Sequence, residues 1–249
     1  MSETRVEPPF FPIYGDYTGD FPCFYDTSEL SWARTLERAF PVIAAELEAY
    51  LARGGDVFRT NWDPYGFDVT GWKTMNFLTY GRRYHRNCRE FPQTVRIIEA
   101  IPNVTSAFVN VLGPGTRIPA HCGDTNTTWR CHLGLIVPGG VDVCGIQVGD
   151  QRSGWTEGAT IAICDAHRHL AWNDTDRDRV ILIVDVMRPE YASRKDEICA
   201  RVHAAIALTH LERRWGSLGR LRDPLLRAGH AVLAVAFRVW LLLGRKLGR

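Results

Sequence analysis

The chain has 249 residues, 45% of them hydrophobic and 23% charged, a composition that excludes a disordered protein and allows a sizeable core. Its seven cysteines are odd in number and form no CxxC pair, which disfavours a disulfide framework or a zinc knuckle and predicts a reducing cytoplasmic location. Residues 1–5 lack the charged-then-apolar order that begins a secretion signal. The net charge of +2 hides an asymmetry, because residues 200–249 contain ten basic and two acidic residues.

The first part of the chain carries helical patterns. Residues 1–27 are rich in proline, glycine and aromatic residues without a period, and we predict an irregular lead-in. Apolar residues then recur every three or four positions from Trp32 to Leu51. This spacing predicts an amphipathic helix that is interrupted or restarted near Pro41 and ends at a pair of glycines. A second helix is predicted over residues 92–100.

From Ser106 onward the apolar period changes to two, which is typical of strands. Clusters of glycine, aspartate and asparagine separate the predicted strands, which cover residues 106–112, 130–137, 143–148, 160–164 and 179–187. Many short strands after two helices indicate an α+β fold around one jelly-roll-like core. We predict three parts, namely the lead-in over 1–27, a main domain over 28–190 and a basic helical appendage over 191–249.

Histidines near predicted strand ends are the candidate metal ligands, since imidazole is a common ligand of iron. They are His121 and either His167 or His169, which are two residues apart, so alternation in an extended backbone does not choose between them. Many iron sites add a carboxylate two residues after the first histidine, but Gly123 stands there. Asp124 is one residue late, and it either reaches the metal through a loop distortion or forms a turn.

Two arginines and a histidine fall in apolar strand segments. Arg130 and His132 are two apart on one predicted strand, so their side chains face the same side. For Arg130 the simpler explanation is that this face of the strand is exposed to solvent. Arg179, in contrast, directly precedes the most apolar run of the chain, over residues 180–184, where a side chain is expected to be buried. A guanidinium buried there needs a partner acid, and its planar fork suits a carboxylate.

A spaced pattern of short motifs surrounds these residues. It comprises Trp72, GRR at 81–83, Cys88, PQT at 92–94, PGT at 114–116, His121, TN at 125–126, RCHLGL at 130–135 and VDV at 184–186. Over residues 28–190 this pattern resembles the aspartyl/asparaginyl β-hydroxylase family of iron(II)- and 2-oxoglutarate-dependent oxygenases. The resemblance implies a double-stranded β-helix (jelly-roll, cupin-like) core with flanking N-terminal and C-terminal helices.

The resemblance also implies a role for each candidate residue. Iron(II) would be held by His121 and by His169, which precedes a tryptophan by three residues, with water in place of a carboxylate. The far carboxylate of 2-oxoglutarate would be anchored by Arg179. The rest of this cosubstrate would be held by Trp72, Arg130, His132 and Asn110, the last of which stands where the family has serine. O2 is the other cosubstrate, and no catalytic side chain beyond the metal ligands is implied.

Three functions are compatible with these residues. The first is hydroxylation of an unactivated C–H bond, favoured at the β-carbon of an aspartyl/asparaginyl-type amino acid, peptide or carrier-bound residue. The second is a lipid acyl-chain hydroxylase at the membrane surface, for which we expect a carboxylate where the chain has Gly123. The third is a catalytically inactive jelly-roll binding module, which the presence of both histidines and Arg179 disfavours. No nucleic-acid partner is expected.

The basic tail has a helical pattern of its own. Four arginines, at positions 227, 238, 245 and 249, fall on one stripe of a helix that is otherwise largely apolar. The apolar run around Arg238 is shorter than the roughly 20 residues of a membrane span. Packing against the body or self-association is slightly favoured over peripheral contact of this helix with an anionic membrane.

Overall fold

The computed structural model describes residues 6–55, 59–60, 69–215 and 223–246. The described part of the lead-in is irregular apart from a 3-10 turn (Pro12–Tyr14), and it runs into the short strand β1 (Phe24–Tyr25). A second 3-10 turn (Thr27–Glu29) follows, and its N-cap, Asp26, accepts a hydrogen bond from the backbone N–H of Ser28.

Helix α1 (Ser31–Ala52) is continuous, so the prediction of a break near Pro41 is wrong. Proline removes one backbone hydrogen bond, but the apolar face continues on both sides of it, with Leu36, Ile43 and Leu47 all buried. Packing of that face outweighs the lost bond. The predicted second helix is present as α3 (Pro92–Glu99), with proline in the first turn, where a missing N–H costs little.

The remaining elements complete two antiparallel sheets and a helical C-terminus. They are β2 (Arg59–Thr60), β3 (Trp72–Thr79), β4 (Arg82–Arg83), α2 (His85–Glu90), β5 (Val104–Leu112), β6 (Thr116–His121), β7 (Thr128–Ile136), β8 (Cys144–Val148), β9 (Gln151–Gly154), β10 (Thr160–Ile163), β11 (His169–Asn173), β12 (Arg179–Met187), α4 (Lys195–Trp215) and α5 (Asp223–Lys246). The five predicted strands are β5, β7, β8, β10 and β12, with ends shifted by at most two residues.

Strand order identifies the fold. The large sheet runs β1-β10-β7-β12-β5-β3-β2, with β4 paired to β3, and the small sheet runs β6-β11-β8-β9. When the strands from β5 to β12 are renumbered I to VIII, their orders are I-VIII-III-VI and II-VII-IV-V. These are the orders of a double-stranded β-helix, in which successive strands alternate between two facing sheets except at IV and V, which pair as a hairpin in the small sheet. The predicted fold is confirmed.

Two apolar clusters lie on opposite faces of the large sheet. One packs α1 and α3 against its outer face, where Cys131 and Leu133 of β7 are fully buried. The other fills the space between the sheets, with Ile146 and Ile181 among its members. Because side chains alternate along β7, Arg130 and its second neighbour His132 point toward the second space. The site therefore lies between the sheets.

The C-terminal helices form a separate cluster with the lead-in. Helix α5 packs along α4, with His230, Ala234 and Leu241 buried on its inner face. By length and composition alone, the segment Pro224–Gly244 of α5 could cross a membrane. The expectation of too short an apolar run is therefore wrong, because the sufficiently apolar segment begins at Pro224, before the run around Arg238, and lies within one helix. The boundaries predicted at residues 28 and 191 remain predictions.

Candidate active site

One cavity between the two sheets brings the predicted site residues together. Residues from eight strands line it, on both sheets, together with Trp155 from the segment after β9. The lining includes all seven side chains singled out in the sequence, namely Trp72, Asn110, His121, Arg130, His132, His169 and Arg179. Antiparallel closure of the barrel therefore places residues more than 100 positions apart in sequence around one space.

The two candidate metal ligands face each other across paired strands. His121 ends β6 and His169 begins β11, and the register of these strands makes the two residues direct partners. Their ring centroids are 4.2 Å apart. The Nδ1 of His121 lies 2.8 Å from the carbonyl of Pro119, and the Nδ1 of His169 lies 2.9 Å from the carbonyl of His167. A carbonyl only accepts, so each Nδ1 carries the proton and each Nε2 carries the lone pair that can bind a metal.

The choice between the two neighbouring histidines follows from the local backbone. His167 turns away from the cavity, and its Nε2 lies 2.6 Å from the carbonyl of Phe21 in the lead-in. Burial lowers the pKa of His169 well below its usual value, and the nearby His121 lowers it further. A neutral imidazole is the form that binds metal. Within the described residues, no third His, Cys, Asp or Glu joins the pair into a metal-binding group.

Asp124 lies outside this cavity. Its carboxylate accepts a hydrogen bond of 3.1 Å from the hydroxyl of Tyr80. Gly123 stands where many iron sites have a carboxylate residue, and the space that a side chain would need at this position is occupied by Asp165. The backbone N–H of Gly123 donates a 2.7 Å hydrogen bond to the carbonyl of Asp165, so the two segments are in direct contact.

A side chain at Gly123 should therefore destabilise the fold. A Cβ there would lie 2.0 Å from Oδ2 of Asp165 and 2.9 Å from its backbone oxygen, so the backbone would have to shift. We expect Gly123→Ala to lower the free energy of unfolding by about 1–3 kcal/mol, the usual cost of overpacking. Urea denaturation followed by tryptophan fluorescence measures this. Gly140→Ala is the matched control, because a Cβ at Gly140 would meet nothing within 4 Å; equal stability of the two variants would contradict the prediction.

Arg130 is paired within the protein itself. Its Nε and Nη2 each lie 2.8 Å from an oxygen of Asp185, and its Nη1 lies 2.8 Å from Oδ2 of Asp165. Its side chain is only 14% exposed, so the solvated alternative does not hold. A buried guanidinium needs a partner acid, and the chain itself supplies two for Arg130. Contact of Arg130 with the cosubstrate remains a prediction.

Arg179 has no comparable partner. Its side chain is buried, and no carboxylate of the described residues forms an ion pair with it. It donates a 3.0 Å hydrogen bond from Nη2 to the side-chain oxygen of Asn110, and its guanidinium lies 4.7 Å from the centre of the Trp155 ring. Burial lowers the pKa of Arg179 to about 10. A buried guanidinium without a carboxylate partner among the described residues is costly, so this position suits an acidic ligand.

Further donors in the cavity lack acceptors. His132 receives a 3.3 Å hydrogen bond at Nδ1 from the indole of Trp155, which leaves the proton on Nε2. That Nε2, the Nε1 of Trp72 and the Nε of Arg179 are all buried without a hydrogen-bond partner among the described atoms. Buried donors of this kind are rare unless a ligand satisfies them. An acidic ligand with several oxygens fits this donor set, and a divalent metal ion fits the imidazole pair.

Sequence reasoning missed three residues of this arrangement. Asp185 was visible as an acid within an apolar strand, and Asp165 as an acid close before the second histidine. Either could have been assigned as the partner that Arg130 requires. Trp155 carries no sequence signal, because it lies in a loop and reaches the cavity only when the sheets close.

Acid should destabilise the metal-free protein through its buried imidazoles. Burial lowers the pKa of His132, His169, His203 and His230, so below about 6.5 the unfolded chain binds protons that the folded chain does not. Asp165 acts in the opposite sense, since burial raises its pKa to about 7 and the folded state then takes up a proton first. Four imidazoles against one carboxyl predict a net loss of at least ~1.4 kcal/mol per pH unit below about 6.5. Urea denaturation at about pH 7.5 and 5.5 tests this, and equal or greater stability at the lower pH would contradict it.

Comparison with known proteins agrees with the resemblance seen in the motifs. The family model described as "Aspartyl/Asparaginyl beta-hydroxylase" matches residues 37–189. The chain is 38% identical to an "Ornithine lipid ester-linked acyl 2-hydroxylase" of Rhizobium tropici, over 68% of this chain and 61% of that protein. It is 33% identical to the rat "Aspartate beta-hydroxylase domain-containing protein 2", over 64% and 48%, and 29% identical to the human "Aspartyl/asparaginyl beta-hydroxylase", over 66% and 22%. The match thus spans less than two thirds of each of these relatives.

Solved structures give only a distant likeness. A prolyl-4-hydroxylase from Pseudomonas putida has a TM-score of 0.38 at 14% identity, covering 61% of this chain and 87% of that one. The DMSP lyase DddQ from Ruegeria pomeroyi has a TM-score of 0.40 at 15% identity, covering 74% and 76%. Such scores carry no inference, and the assignment depends on the sequence match across most of the barrel. The chain therefore belongs to the aspartyl/asparaginyl beta-hydroxylase family of enzymes.

Proposed function

We propose that this protein is an iron(II)- and 2-oxoglutarate-dependent dioxygenase that hydroxylates an unactivated C–H bond. The observation that carries the proposal is the pairing of two imidazoles with a buried guanidinium, which has no carboxylate partner among the described residues, around one cavity. His121 and His169 would hold the metal. When bound, iron(II) supplies the activation of O2 that amino-acid side chains do not provide.

The chain's own residues would bind and orient the acid. Arg179 offers a bidentate, charged partner for the far carboxylate of 2-oxoglutarate, and Asn110 fixes the direction of its guanidinium. The unpartnered Nε2–H of His132 and indole N–H of Trp72 are further donors for its oxygens. Apolar side chains, among them Ile146 and Ile183, exclude water from the same space. The residues thus provide orientation, charge and a dry cavity, and no side chain needs to act as acid or base.

For the substrate we propose a lipid acyl chain. Two observations support this choice over the aspartyl/asparaginyl-type residue that the sequence favoured. The bacterial relative at 38% identity is named an acyl hydroxylase of a lipid, and helix α5 exposes a long apolar face. Gly123 still departs from the carboxylate expected of a lipid hydroxylase at this position, where Asp165 takes up the space for a side chain. The aspartyl/asparaginyl β-carbon remains the second candidate, on the strength of the family match.

A turnover assay with the full chain tests both the reaction and the substrate that we propose. Anaerobically loaded iron(II), 2-oxoglutarate and O2 are supplied with either ornithine-lipid vesicles or aspartate- and asparagine-containing peptides. We expect succinate to form and the acyl chain to gain one oxygen atom, measured by mass spectrometry. Oxygenated peptide with unchanged lipid would favour the second candidate. Binding of 2-oxoglutarate without succinate would instead identify an inactive binding module and overturn the proposal.

A further inference from the structure

The outer face of helix α5 is apolar and uncovered. Its exposed side chains are Leu225, Val232, Val235, Val239 and Leu243, which are between 52% and 70% exposed. They recur at spacings of three, four and seven, so they form one stripe along the helix. This stripe, here called the outer face of α5, lies opposite the buried residues of the same helix. Large apolar patches on a protein surface mark contact sites.

The inner face of α5 keeps the helix attached to the domain. His230 of α5 lies 2.6 Å from the hydroxyl of Tyr14 through Nδ1 and 2.8 Å from the carbonyl of Arg201 through Nε2. Phe237 stacks on His203 of α4, with ring centroids 5.5 Å apart. A helix held in this way along its length lies on the body of the protein. Its outer face therefore points away from the body of the protein along the whole helix.

Charge decides between the candidate occupants of this face. Residues 224–249 contain five basic and no acidic residues. Two of them, Arg227 and Arg238, are exposed within the described part of α5. A second copy of the chain, packed face to face along α5, would offer these charges no acidic partner from residues 224–249. An anionic lipid surface instead complements them, since basic residues beside a bilayer attract acidic headgroups while the apolar stripe enters the acyl region.

We infer that the outer face of α5 docks the enzyme on an anionic lipid bilayer. The further claim that this surface brings the enzyme to a lipid substrate rests on the proposed function. A cavity of about 890 Å³ adjoins the docking helix, lined by Arg227 of α5 and by lead-in residues that include Tyr14 and Tyr17. Tyr17 packs edge-on against His167, with ring centroids 4.9 Å apart, two residues before His169. The lead-in thus lies between the membrane-facing helix and the strand that carries a metal ligand.

Vesicle flotation of a triple variant tests the inference. The variant Val232→Ser/Val235→Ser/Val239→Ser removes only exposed methyl groups, and serine has a helix propensity similar to that of valine. The matched control, Val42→Ser/Val143→Ser, alters two valines that are 40% and 43% exposed elsewhere. We expect the native chain and the control to float with phosphatidylcholine vesicles containing phosphatidylglycerol and not with phosphatidylcholine alone. The triple variant should bind at least ~10-fold more weakly.

Several outcomes would overturn the inference. These are a native chain that does not float with anionic vesicles, a triple variant that floats as well as the native chain, or a native dimer that becomes monomeric in the triple variant. Succinate formation from 2-oxoglutarate is measured on the same preparations. Vesicle binding without succinate would overturn the proposed function and leave the docking surface standing. Succinate without vesicle binding would overturn the docking surface and leave the proposed function standing.

Discussion

Replacing Arg179 by methionine should abolish 2-oxoglutarate binding without weakening the fold. The guanidinium is buried and has no carboxylate partner among the described residues, so the native apo protein carries the cost of desolvating a cation. Methionine removes that cost and keeps most of the apolar contact. The affinity for 2-oxoglutarate loses a buried charge pair, which corresponds to about 2–5 kcal/mol or at least a ~30-fold higher Kd.

The second part of the prediction concerns the stability of this variant. Arg179→Met loses the hydrogen bond to Asn110 and the contact with the Trp155 ring, each of which contributes about 1 kcal/mol. Removal of the unpaired charge offsets these losses, so the free energy of unfolding should stay within about 1 kcal/mol of the native value or rise. Calorimetric titration with 2-oxoglutarate and urea denaturation measure the two effects separately.

Arg117→Met is the matched control for Arg179. Its side chain is 66% exposed and pairs with Asp174 at the surface, where an ion pair contributes little. Neither affinity nor stability should change by more than about 0.5 kcal/mol. Native-like affinity in Arg179→Met would show that the cosubstrate carboxylate binds elsewhere. A variant that unfolds would show that the cation is stabilised by the protein itself.

Five of the eight barrel strands could be predicted because alternation and burial agree in them, whereas β6, β9 and β11 were missed. In β7, Cys131 and Leu133 had to face one apolar core, which fixed the opposite direction for Arg130 and His132. Helix α2 has only six residues, too few to show a period, and it was missed. The error at Pro41 had a different cause, because a local rule for proline was outweighed by packing on both sides.

The site could be predicted in its members but not in its pairings. The motif pattern selected residues that the structure does bring around one cavity. Which acid would meet Arg130 depended on how the segment before β11 folds back beside Gly123, and no local rule contains that information. The same holds for Trp155, which lies beside Arg179 only because β9 and β12 belong to facing sheets.

Substitution of His169 should remove metal binding, whereas substitution of its neighbour His167 should not. Both imidazoles were candidates by alternation, and only His169 faces His121, with ring centroids 4.2 Å apart. Because no third His, Cys, Asp or Glu of the described residues joins the pair, loss of one imidazole leaves a single ligand among them, too few for tight binding of a divalent ion. We expect His169→Ala to lower succinate formation at least ~1,000-fold.

His167→Ala provides the matched control, since it removes the same side chain two residues away. Its Nε2 contacts the carbonyl of Phe21 in the lead-in, outside the cavity, so the variant should lose about 1 kcal/mol of stability and keep its metal affinity. Anaerobic titration with iron(II), or with cobalt(II) followed by its absorption spectrum, measures affinity independently of turnover. Equal loss of metal binding in both variants would place the site elsewhere on β11, and retention by His169→Ala would remove the imidazole pair from the mechanism altogether.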